Sequence, residues 1–216
     1  MCGRYGRRGD KQRIAEAFNV KGGLDEVDFA EDNDCAPGSI QPVVRMNDDG
    51  ERGLTVMRWG FKLPDRFLFN TRSEDVTKTS FWKEKFAENR CIVPASSFFE
   101  WQGTKKSPKS KYEITVPGST LFGMAGVWAP WKNPKTDQWE KTFSIFTSES
   151  NSVMKAIHDR QPVVLEPRDF KEWLEESERP PVHLLRILPN EEMAVTLASD
   201  QKNARGEEPT IRGLFD

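Results

Sequence analysis

Residues 90–101 read RCIVPASSFFEW, which is two apolar segments joined by a short stretch of proline, alanine and serine. Valine, isoleucine, phenylalanine and tryptophan favour extended backbone, and proline and serine favour turns. Both halves are therefore predicted to be β-strands. Glu100 lies in the second half, between Phe99 and Trp101. Its carboxylate either points to solvent or occupies a pocket that raises its pKa and suits it to proton transfer.

Segments of the same kind recur along the chain. The predicted strands are 40–44, 54–59, 66–70, 90–94, 98–101, 111–116, 121–128 and 141–148. Predicted helices are fewer: residues 11–18, residues 81–88, one capped by Ser150, and one with Pro167 in its first turn. This order contains no βαβ series, so we predict the α+β class, with a mixed or antiparallel, barrel-like β-sheet core flanked by short helices. We expect one domain over residues 1–216, with a polar tail from about residue 200.

The charges of the chain nearly balance. Thirty-two Lys+Arg against 34 Asp+Glu give a net charge of −2 at pH 7, so nucleic-acid binding would need a local basic patch. The most basic stretch is 103–112, GTKKSPKSKY, which is either a solvated hairpin loop or an arm that faces phosphates. No apolar run has the length of a bilayer span or of a signal peptide, so we expect no membrane partner.

Cysteine usage argues against two kinds of site. The three cysteines, Cys2, Cys35 and Cys91, are odd in number and lack metal-ligand spacing. This pattern favours neither a disulfide framework nor a zinc site, so we expect reduced thiols, no metal and no cofactor.

Cys2 follows the initiator methionine in the opening MCGRY. If Met1 is removed, Cys2 carries a free α-amine and a thiol on adjacent carbons. Such a 1,2-aminothiol traps aldehydes, because the amine forms a Schiff base and the thiol then closes a five-membered thiazolidine. Both groups are nucleophilic near neutrality, with pKa values of about 7.7–8.0 and about 8.5. The alternative is a small second residue with no chemical role.

Two more polar residues interrupt apolar segments, and buried polar groups are costly unless they are paired. Asn70 ends RFLFN and is either a functional side chain or a turn residue. His158 lies in VMKAIHDRQPVVL and is either an acid/base or a structural hydrogen-bonding residue. His183, in PVHLLRIL, is predicted to be a packed strand residue without a role.

The order and the amino-acid sequences of several segments resemble those of a known family. The segments are MCGRY, CAPG followed by VV, RWGF, FNTRSE, RCIVPASSFFEW, FGMAGVW and IHDRQPVVL. Together they resemble the SOS response-associated peptidase (SRAP) family, from Met1 to about Leu174. The resemblance implies a SRAP domain that binds single-stranded DNA and crosslinks covalently to abasic sites. It also implies autoproteolytic loss of Met1 and a stable thiazolidine adduct. Because a Schiff base acidifies the adjacent sugar carbon, a strand-cleaving lyase side reaction is expected as well.

The resemblance assigns catalytic roles to four residues. Cys2 would supply the amine and the thiol, and Asn70 would hold the amine or the sugar oxygens. Glu100 would move protons during sugar opening and loss of water. His158 would hydrogen-bond the sugar hydroxyl or a phosphate and act as acid or base.

Six residues are candidates for contacts with DNA. Arg4 and Arg72 follow Cys2 and Asn70 closely in sequence, and their guanidinium groups suit phosphate oxygens. Trp59 and Trp101 would stack against bases, with core packing as the alternative for either. Pro37 resembles a family position along the DNA path, and Thr147 is expected to line the pocket at the end of its strand.

The chain departs from the family pattern at four positions that bear on DNA binding. Asn33 stands where the family usually has Tyr, Asp34 where it has Asn, Gln161 where it has Met, and Phe99 where it has Tyr. An additional acidic group near the DNA path would weaken binding or raise its salt sensitivity.

Two alternative functions, from other classes of protein, remain open. An N-terminal-nucleophile cysteine amidase or peptidase would also use Cys2, with its own α-amine as base. A non-covalent single-stranded DNA-binding module would keep the basic and aromatic surface without needing Cys2. On the preferred reading we expect a monomer in the bacterial cytoplasm, associated with the nucleoid, whose partner is single-stranded DNA containing abasic sites.

Overall fold

The computed structural model describes residues 2–103 and 110–198. The strands before residue 90 are β1 (Tyr5–Arg7), β2 (Asp32–Cys35), β3 (Ile40–Met46), β4 (Arg52–Trp59), β5 (Phe61–Lys62), β6 (Phe67–Leu68) and β7 (Asn70–Arg72). The later strands are β8 (Arg90–Ala95), β9 (Ser97–Gln102), β10 (Ser110–Thr115), β11 (Phe122–Lys132), β12 (Trp139–Glu149), β13 (Arg160–Pro162), β14 (Val164–Leu165) and β15 (Ala194–Leu197).

The helices are short. They are α1 (Lys11–Phe18), α2 (Ser80–Glu88), α3 (Ser152–Lys155) and α4 (Phe170–Leu174), with 3₁₀ turns at Ser73–Asp75, Pro167–Asp169, Val182–Leu184 and Asn190–Glu192. Within the described residues, no helix has the length and apolar character needed to cross a membrane. The predicted polar tail and most of the basic loop at 103–112 lie outside the described residues.

Five strands close into a barrel in the order β12, β4, β3, β8 and β11, and β11 pairs again with β12. The β12–β4 pairing is parallel and the other four are antiparallel. Strands β7 and β13 pair with β12, and β14 pairs with β11. The barrel and its flanking helices confirm the predicted α+β class with a mixed, barrel-like sheet.

A second, antiparallel sheet has the order β15, β10, β9, β1 and β2. The barrel strands contribute side chains to two apolar clusters, because successive side chains of a strand point to opposite faces. Cys91 and Val93 pack in a cluster with Tyr5 and Phe98 of the second sheet. Ile92, between them, packs in the cluster formed with the helices.

The first helix has the predicted bounds. Asp10 caps it by accepting a 2.9 Å hydrogen bond from the backbone of Arg13, and Ile14 and Phe18 face the core. The third helix differs from the prediction, because its cap is Asn151, whose side chain accepts from the Met154 backbone at 2.8 Å, and not Ser150.

Two further local predictions were wrong. Residues 66–70 form parts of two strands, because β6 pairs with β5 whereas β7 pairs with β12. His183 lies in an exposed 3₁₀ turn, not in a packed strand, because the prolines just before it remove ladder donors. The polar strands β1, β2 and β13 were not predicted, since their pairing comes from neighbouring strands and not from their own composition.

Candidate active site

Cys2 lies three residues before the start of β1, which pairs with β9 on one side and β2 on the other. The side chain is fully buried, and its Sγ is 3.9 Å from the carbonyl oxygen of Arg4. Burial raises the pKa of the Cys2 thiol well above its usual range, and the nearby charge of Glu100 raises it further. The thiol is therefore protonated at neutral pH and needs a base to react.

Asn70 begins β7, which runs parallel to β12 with Asn70 opposite Ile145. Its Nδ2 donates a 2.8 Å hydrogen bond to the carbonyl oxygen of Cys2. Its Oδ1 is buried and has no hydrogen-bond partner among the described residues. Asn70 thus anchors the backbone of Cys2 and keeps one unused acceptor. The alternative prediction, a turn residue at the end of a strand, does not describe this position, because Asn70 begins β7.

Glu100 lies in the middle of β9 and is 3% exposed. Burial raises the pKa of this carboxyl to about 7; the positive chain terminus opposes the rise and Asp159 adds to it. Its Oε1 has no hydrogen-bond partner in the described part of the chain. A carboxyl with this pKa exchanges protons readily near neutrality.

His158 lies in the loop between α3 and β13 and is half-buried. Its Nδ1 accepts a 3.0 Å hydrogen bond from the backbone of Arg160, and the same nitrogen is 3.0 Å from Asp159 Oδ1. Burial lowers the pKa of His158, as does the positive chain terminus, while Asp159 acts in the opposite direction. In the neutral ring, an accepting Nδ1 leaves the proton on Nε2.

Two charged residues next to this loop were not among the predicted site residues. Arg160 Nη1 and Nη2 donate to both carboxylate oxygens of Glu74 at 2.6 and 2.9 Å. The hydrogen bonds from Arg160 lower the pKa of Glu74 to about 2. Both residues stand inside the segments FNTRSE and IHDRQPVVL, so their position within these segments was an available signal.

Thr147 belongs to this ion-pair network and does not line an open pocket. It is 1% exposed, and Arg160 Nη2 donates to its carbonyl oxygen at 2.6 Å and to its Oγ1 at 3.3 Å. The predicted DNA contact at Thr147 is wrong, because its side chain is almost fully buried and is held by Arg160.

Trp59 was also wrongly predicted to contact DNA. It is fully buried, its Nε1 donates to the carbonyl oxygen of Phe69 at 2.8 Å, and it packs against Tyr5 and Phe143. Neither face of the indole is open to a base. Core packing, the alternative reading, is the observed role.

Trp101 is half-buried on the opposite face of β9 from Glu100. The Nζ of Lys111 lies 5.5 Å from the ring centroid of Trp101 and 4.1 Å from that of Phe99. Because Lys111 Nζ lies over both rings, Phe99 and Trp101 are on the same face of β9, which is the face opposite Glu100. Trp101 is therefore not part of the group around Cys2.

Pro37 occupies the turn between β2 and β3. Gly38 has φ of 92°, and the Ser39 backbone donates to the carbonyl oxygen of Ala36 at 3.1 Å, which is the pattern of a type II turn. The Gly38 backbone donates to the carbonyl oxygen of Trp59 at 2.7 Å. This bond ties the half-exposed Pro37 turn to the end of β4.

The two predicted phosphate ligands differ in their surroundings. Arg4 is half-exposed, and its Nη1 forms a 2.6 Å ion pair with Oδ2 of the exposed Asp34. Arg72 is exposed and borders a cavity of about 360 Å³ next to the His158 loop. The cavity is also lined by Glu74, Glu149, Ser150, Lys155, Asp159 and Arg160.

Gln161, a departure from the family pattern, has a structural role. It is fully buried, its Oε1 accepts from the Asn151 backbone at 3.0 Å, and its Nε2 donates to the carbonyl oxygen of Leu188 at 3.2 Å. It therefore joins the start of α3 to the segment before β15.

The fold gathers the four predicted catalytic residues in one region. Hydrogen bonding joins Asn70 to Cys2, the charge of Glu100 acts on the Cys2 thiol, and Asp159 links Glu100 electrostatically to the His158 loop. The described residues contain no cluster of three His, Cys, Asp or Glu side chains suited to a metal ion. The arrangement offers a buried thiol, a carboxyl that titrates near neutrality and two unused acceptors.

Comparison with known proteins identifies the family. The sequence profile of the SOS response associated peptidase (SRAP) family matches residues 1–204. The chain is 31% identical over 195 residues to abasic site processing protein YoqW of Bacillus subtilis, across 87% of this chain and 86% of that protein. It is 30% identical over 170 residues to abasic site processing protein HMCES of Xenopus tropicalis, across 65% of this chain and 50% of that protein.

Solved structures share the fold at lower identity. A protein of Bacteroides thetaiotaomicron superimposes with a TM-score of 0.80 at 21% identity, across 92% of this chain and 93% of that chain. A phage-related protein of Bordetella bronchiseptica superimposes with a TM-score of 0.74 at 23% identity, across 92% and 95%. On the sequence match, which spans nearly its whole length, this chain belongs to the SOS response associated peptidase family.

Proposed function

We propose that this protein processes abasic sites in DNA by bonding to them covalently through Cys2 after Met1 is removed. Relatives matching most of the chain are named abasic site processing proteins, and an abasic site presents an aldehyde when its sugar ring opens. One observation carries the proposal. The two side chains that act on Cys2, Asn70 and Glu100, each keep a buried oxygen without a partner among the described residues.

The chemistry would proceed in two bond-forming steps. The α-amine of Cys2 adds to C1′ of the ring-opened sugar, and the carbinolamine loses water to become an imine. The imine forms in its protonated state, because its nitrogen keeps the hydrogen of the carbinolamine. The sulfur then bonds to the imine carbon and closes the thiazolidine as the thiol gives up its proton. Glu100, with a pKa of about 7, would donate the proton that releases water and accept the thiol proton.

The other two residues would orient the reactants. Asn70 holds the Cys2 carbonyl through Nδ2, so its unused Oδ1 would accept a hydrogen bond from the freed α-amine. In neutral His158 an accepting Nδ1 puts the proton on Nε2, which would donate it to a hydroxyl or phosphate oxygen of the opened sugar.

DNA would be held without reading its sequence. We propose Arg72, beside the His158 loop, and Arg4, two residues from Cys2, as phosphate ligands. Pro37 and the half-exposed Trp101 stay proposed contacts for the flanking strand. Single-stranded DNA suits a buried Cys2, because an unpaired strand can turn its sugar into the site without breaking base pairs.

Two side reactions belong to the same proposal. The imine acidifies the neighbouring sugar carbon, so β-elimination would cleave the strand unless the thiazolidine closes first. Removal of Met1 would be autocatalytic, with Glu100 as the nearby proton-transfer group. We also propose that the chain acts as one domain and as a monomer, in the bacterial cytoplasm and near the nucleoid.

The test is the intact mass of the purified protein before and after incubation with single-stranded DNA that contains one abasic site. The mixture is denatured, and no borohydride is added. We expect loss of Met1 and a stable one-to-one adduct. Cys2→Ala should abolish the adduct, whereas binding to a strand with a tetrahydrofuran abasic analogue, which has no aldehyde, should persist.

The same experiment separates the rival functions. Turnover of a small amide by the processed protein, without any DNA adduct, would indicate an N-terminal-nucleophile amidase. DNA binding that is equal in wild type and Cys2→Ala, again without an adduct, would indicate a non-covalent single-stranded DNA-binding module. Either result would overturn the proposal.

A further inference from the structure

Gln102 connects two elements that carry proposed catalytic residues. It ends β9, two residues after Glu100, so both side chains leave the same face of the strand. Its Nε2 donates a 2.7 Å hydrogen bond to the carbonyl oxygen of Ala156, two residues before His158. This bond therefore joins the strand of Glu100 to the loop of His158.

A second hydrogen bond orients the Gln102 amide. Tyr112 stands opposite Glu100 in the β9–β10 ladder, and its hydroxyl donates to Gln102 Oε1 at 3.1 Å. With Oε1 accepting from Tyr112, the amide presents Nε2 to Ala156. The three residues form a chain of donors and acceptors from β10 through β9 to the end of α3.

The Ala156 carbonyl is at the end of a helix, where carbonyl groups lack partners within the helix. The backbones of Ile157 and His158 both donate to the carbonyl oxygen of Met154 at 2.8 Å, which turns the chain sharply after α3. Gln102 thus fixes the entrance to this turn.

The exit from the turn is fixed independently. Arg160 is held by both carboxylate oxygens of Glu74 and by Thr147, and its backbone donates to His158 Nδ1. His158 accordingly lies between two anchored points, one tied to β9 and one tied to β12 and to the 3₁₀ turn that follows β7.

We propose that Gln102 is a positioning residue that holds His158 in register with Glu100 for the reaction at Cys2. The inference rests on the proposed function and adds a residue to it. A β-strand is a rigid element, so the hydrogen bond from Gln102 fixes the position of the His158 loop relative to Glu100. Without it the loop keeps its anchor at Arg160 but loses the one at Ala156, and misplacement of reacting groups by about 1 Å is costly in rate.

The decisive variants are Gln102→Met, which keeps the length of the side chain but removes the amide, and Gln102→Glu, which donates to Ala156 only when protonated. Gln12→Met, on the exposed side of α1, is the matched control. Single-turnover rates of adduct formation are measured with saturating single-stranded DNA carrying one abasic site, between about pH 5.5 and 8.5. Affinity is measured with the tetrahydrofuran analogue strand.

We expect Gln102→Met to slow adduct formation by about tenfold near neutrality, while its affinity for the analogue strand changes by less than about twofold. Gln102→Glu, whose carboxylate is ionised across this pH range and cannot donate to Ala156, should be slowed at least as much as Gln102→Met. Gln12→Met should match wild type. A wild-type rate in Gln102→Met, or a loss of affinity as large as the loss of rate, would overturn the positioning role.

A measurement without DNA keeps the two proposals separate. The chain has two histidines, so His183→Asn leaves His158 as the single imidazole for an NMR titration. Gln102→Met in this background should move the titration midpoint of His158 upward towards that of an exposed histidine, because a released loop admits water. Asp159, Arg160 and the chain terminus, the charges that act on His158, are unchanged by the substitution.

An unchanged His158 titration in Gln102→Met would overturn the positioning role whether or not adducts form. Failure of wild type to form any adduct would instead overturn the proposed function. A shifted titration together with slower adduct formation would support both.

Discussion

The side-chain amide of Asn70 donates a 2.8 Å hydrogen bond to the backbone carbonyl of Cys2, across 68 positions of the chain. The bond forms because β7, which runs parallel to β12, begins at Asn70 beside the segment that precedes β1. It fixes the reactive residue by its backbone and leaves the Cys2 thiol and nitrogen for chemistry. Asn70 Oδ1, which has no hydrogen-bond partner among the described residues, is the atom that we propose to accept a hydrogen bond from the Cys2 α-amine.

Replacing Asn70 by Asp tests this anchor. The substitution keeps the size of the side chain but replaces the donor by an oxygen that repels the Cys2 carbonyl. We expect adduct formation to slow by about tenfold or more, since misplaced reacting groups lose effective concentration. Affinity for the tetrahydrofuran analogue strand should stay within about twofold of wild type. An equal rate in Asn70→Asp would show that the anchor is not needed.

Glu100→Gln tests proton transfer by a carboxyl with a pKa of about 7. Gln has the same shape but neither gives nor takes a proton in this range. We expect a rate of adduct formation lower by about 10²-fold or more, and a pH profile that lacks the wild-type inflection near 7 and keeps only the titration of the Cys2 α-amine at about 7.7–8.0. A variant that retains the wild-type inflection would assign the titration to another group.

The same substitution should stabilise the protein in alkaline solution. The pKa of Glu100 is raised from 4.5 to about 7, so the folded state binds more protons than the unfolded state between these values. The free energy of unfolding of wild type should therefore fall as pH rises through this window, by at most about 3 kcal/mol. Glu100→Gln should lack this fall, and urea unfolding at pH 5 and pH 8 measures the difference. Glu16→Gln, exposed on α1, is the control.

Asp34→Asn should strengthen DNA binding by releasing Arg4. Arg4 is paired with Asp34 at 2.6 Å, and the two side chains are 40% and 59% exposed, so the pair itself adds little stability. With Arg4 free for a phosphate, the slope of log affinity against log salt should steepen by about 0.7. Asp49→Asn makes the same charge change in the β3–β4 turn and should leave the slope unchanged. Equal slopes in the two variants would contradict the role of Arg4.

Glu74→Gln should destabilise the loop anchor at Arg160. Hydrogen bonds from Arg160 lower the pKa of Glu74 from 4.5 to about 2, so this stabilisation is present above pH 4.5 and is lost as pH falls towards 2. Because Glu74 is 41% exposed, we expect a loss of only about 1 kcal/mol at pH 7. The difference from wild type should shrink progressively below pH 4. A difference that is constant with pH would indicate a packing effect and not the ion pair.

Local sequence patterns predicted most of the elements. Helix α1 has its predicted bounds because Asp10 is a good cap and Ile14 and Phe18 lie one turn apart, which are properties of neighbouring residues. Strands such as β8 and β9 were predicted from their own apolar and β-branched residues. Strands β1 and β2 were missed, since they are extended only because β9 pairs with β1 and β1 with β2.

The candidate DNA contacts show the limit of sequence reasoning. Trp59 and Thr147 stand in strands whose alternation does not say which face meets water, and both proved to be buried. Arg160 and Glu74 were overlooked because their salt bridge joins distant segments and leaves no periodic signal, so their place inside FNTRSE and IHDRQPVVL was the one signal for them.

The sequence alone determined the chemistry that is available. A cysteine at position 2 supplies an aminothiol once Met1 is removed, and the alternation of RCIVPASSFFEW sets Glu100 on one face of its strand and Trp101 on the other. Only the tertiary structure decided what these groups can do. The pKa of Glu100, the anchor of Cys2 on Asn70 and the bond from Gln102 to Ala156 depend on desolvation and on distances between remote segments. Those quantities are set when the two sheets and the α3 loop pack together, and no local pattern of residues contains them.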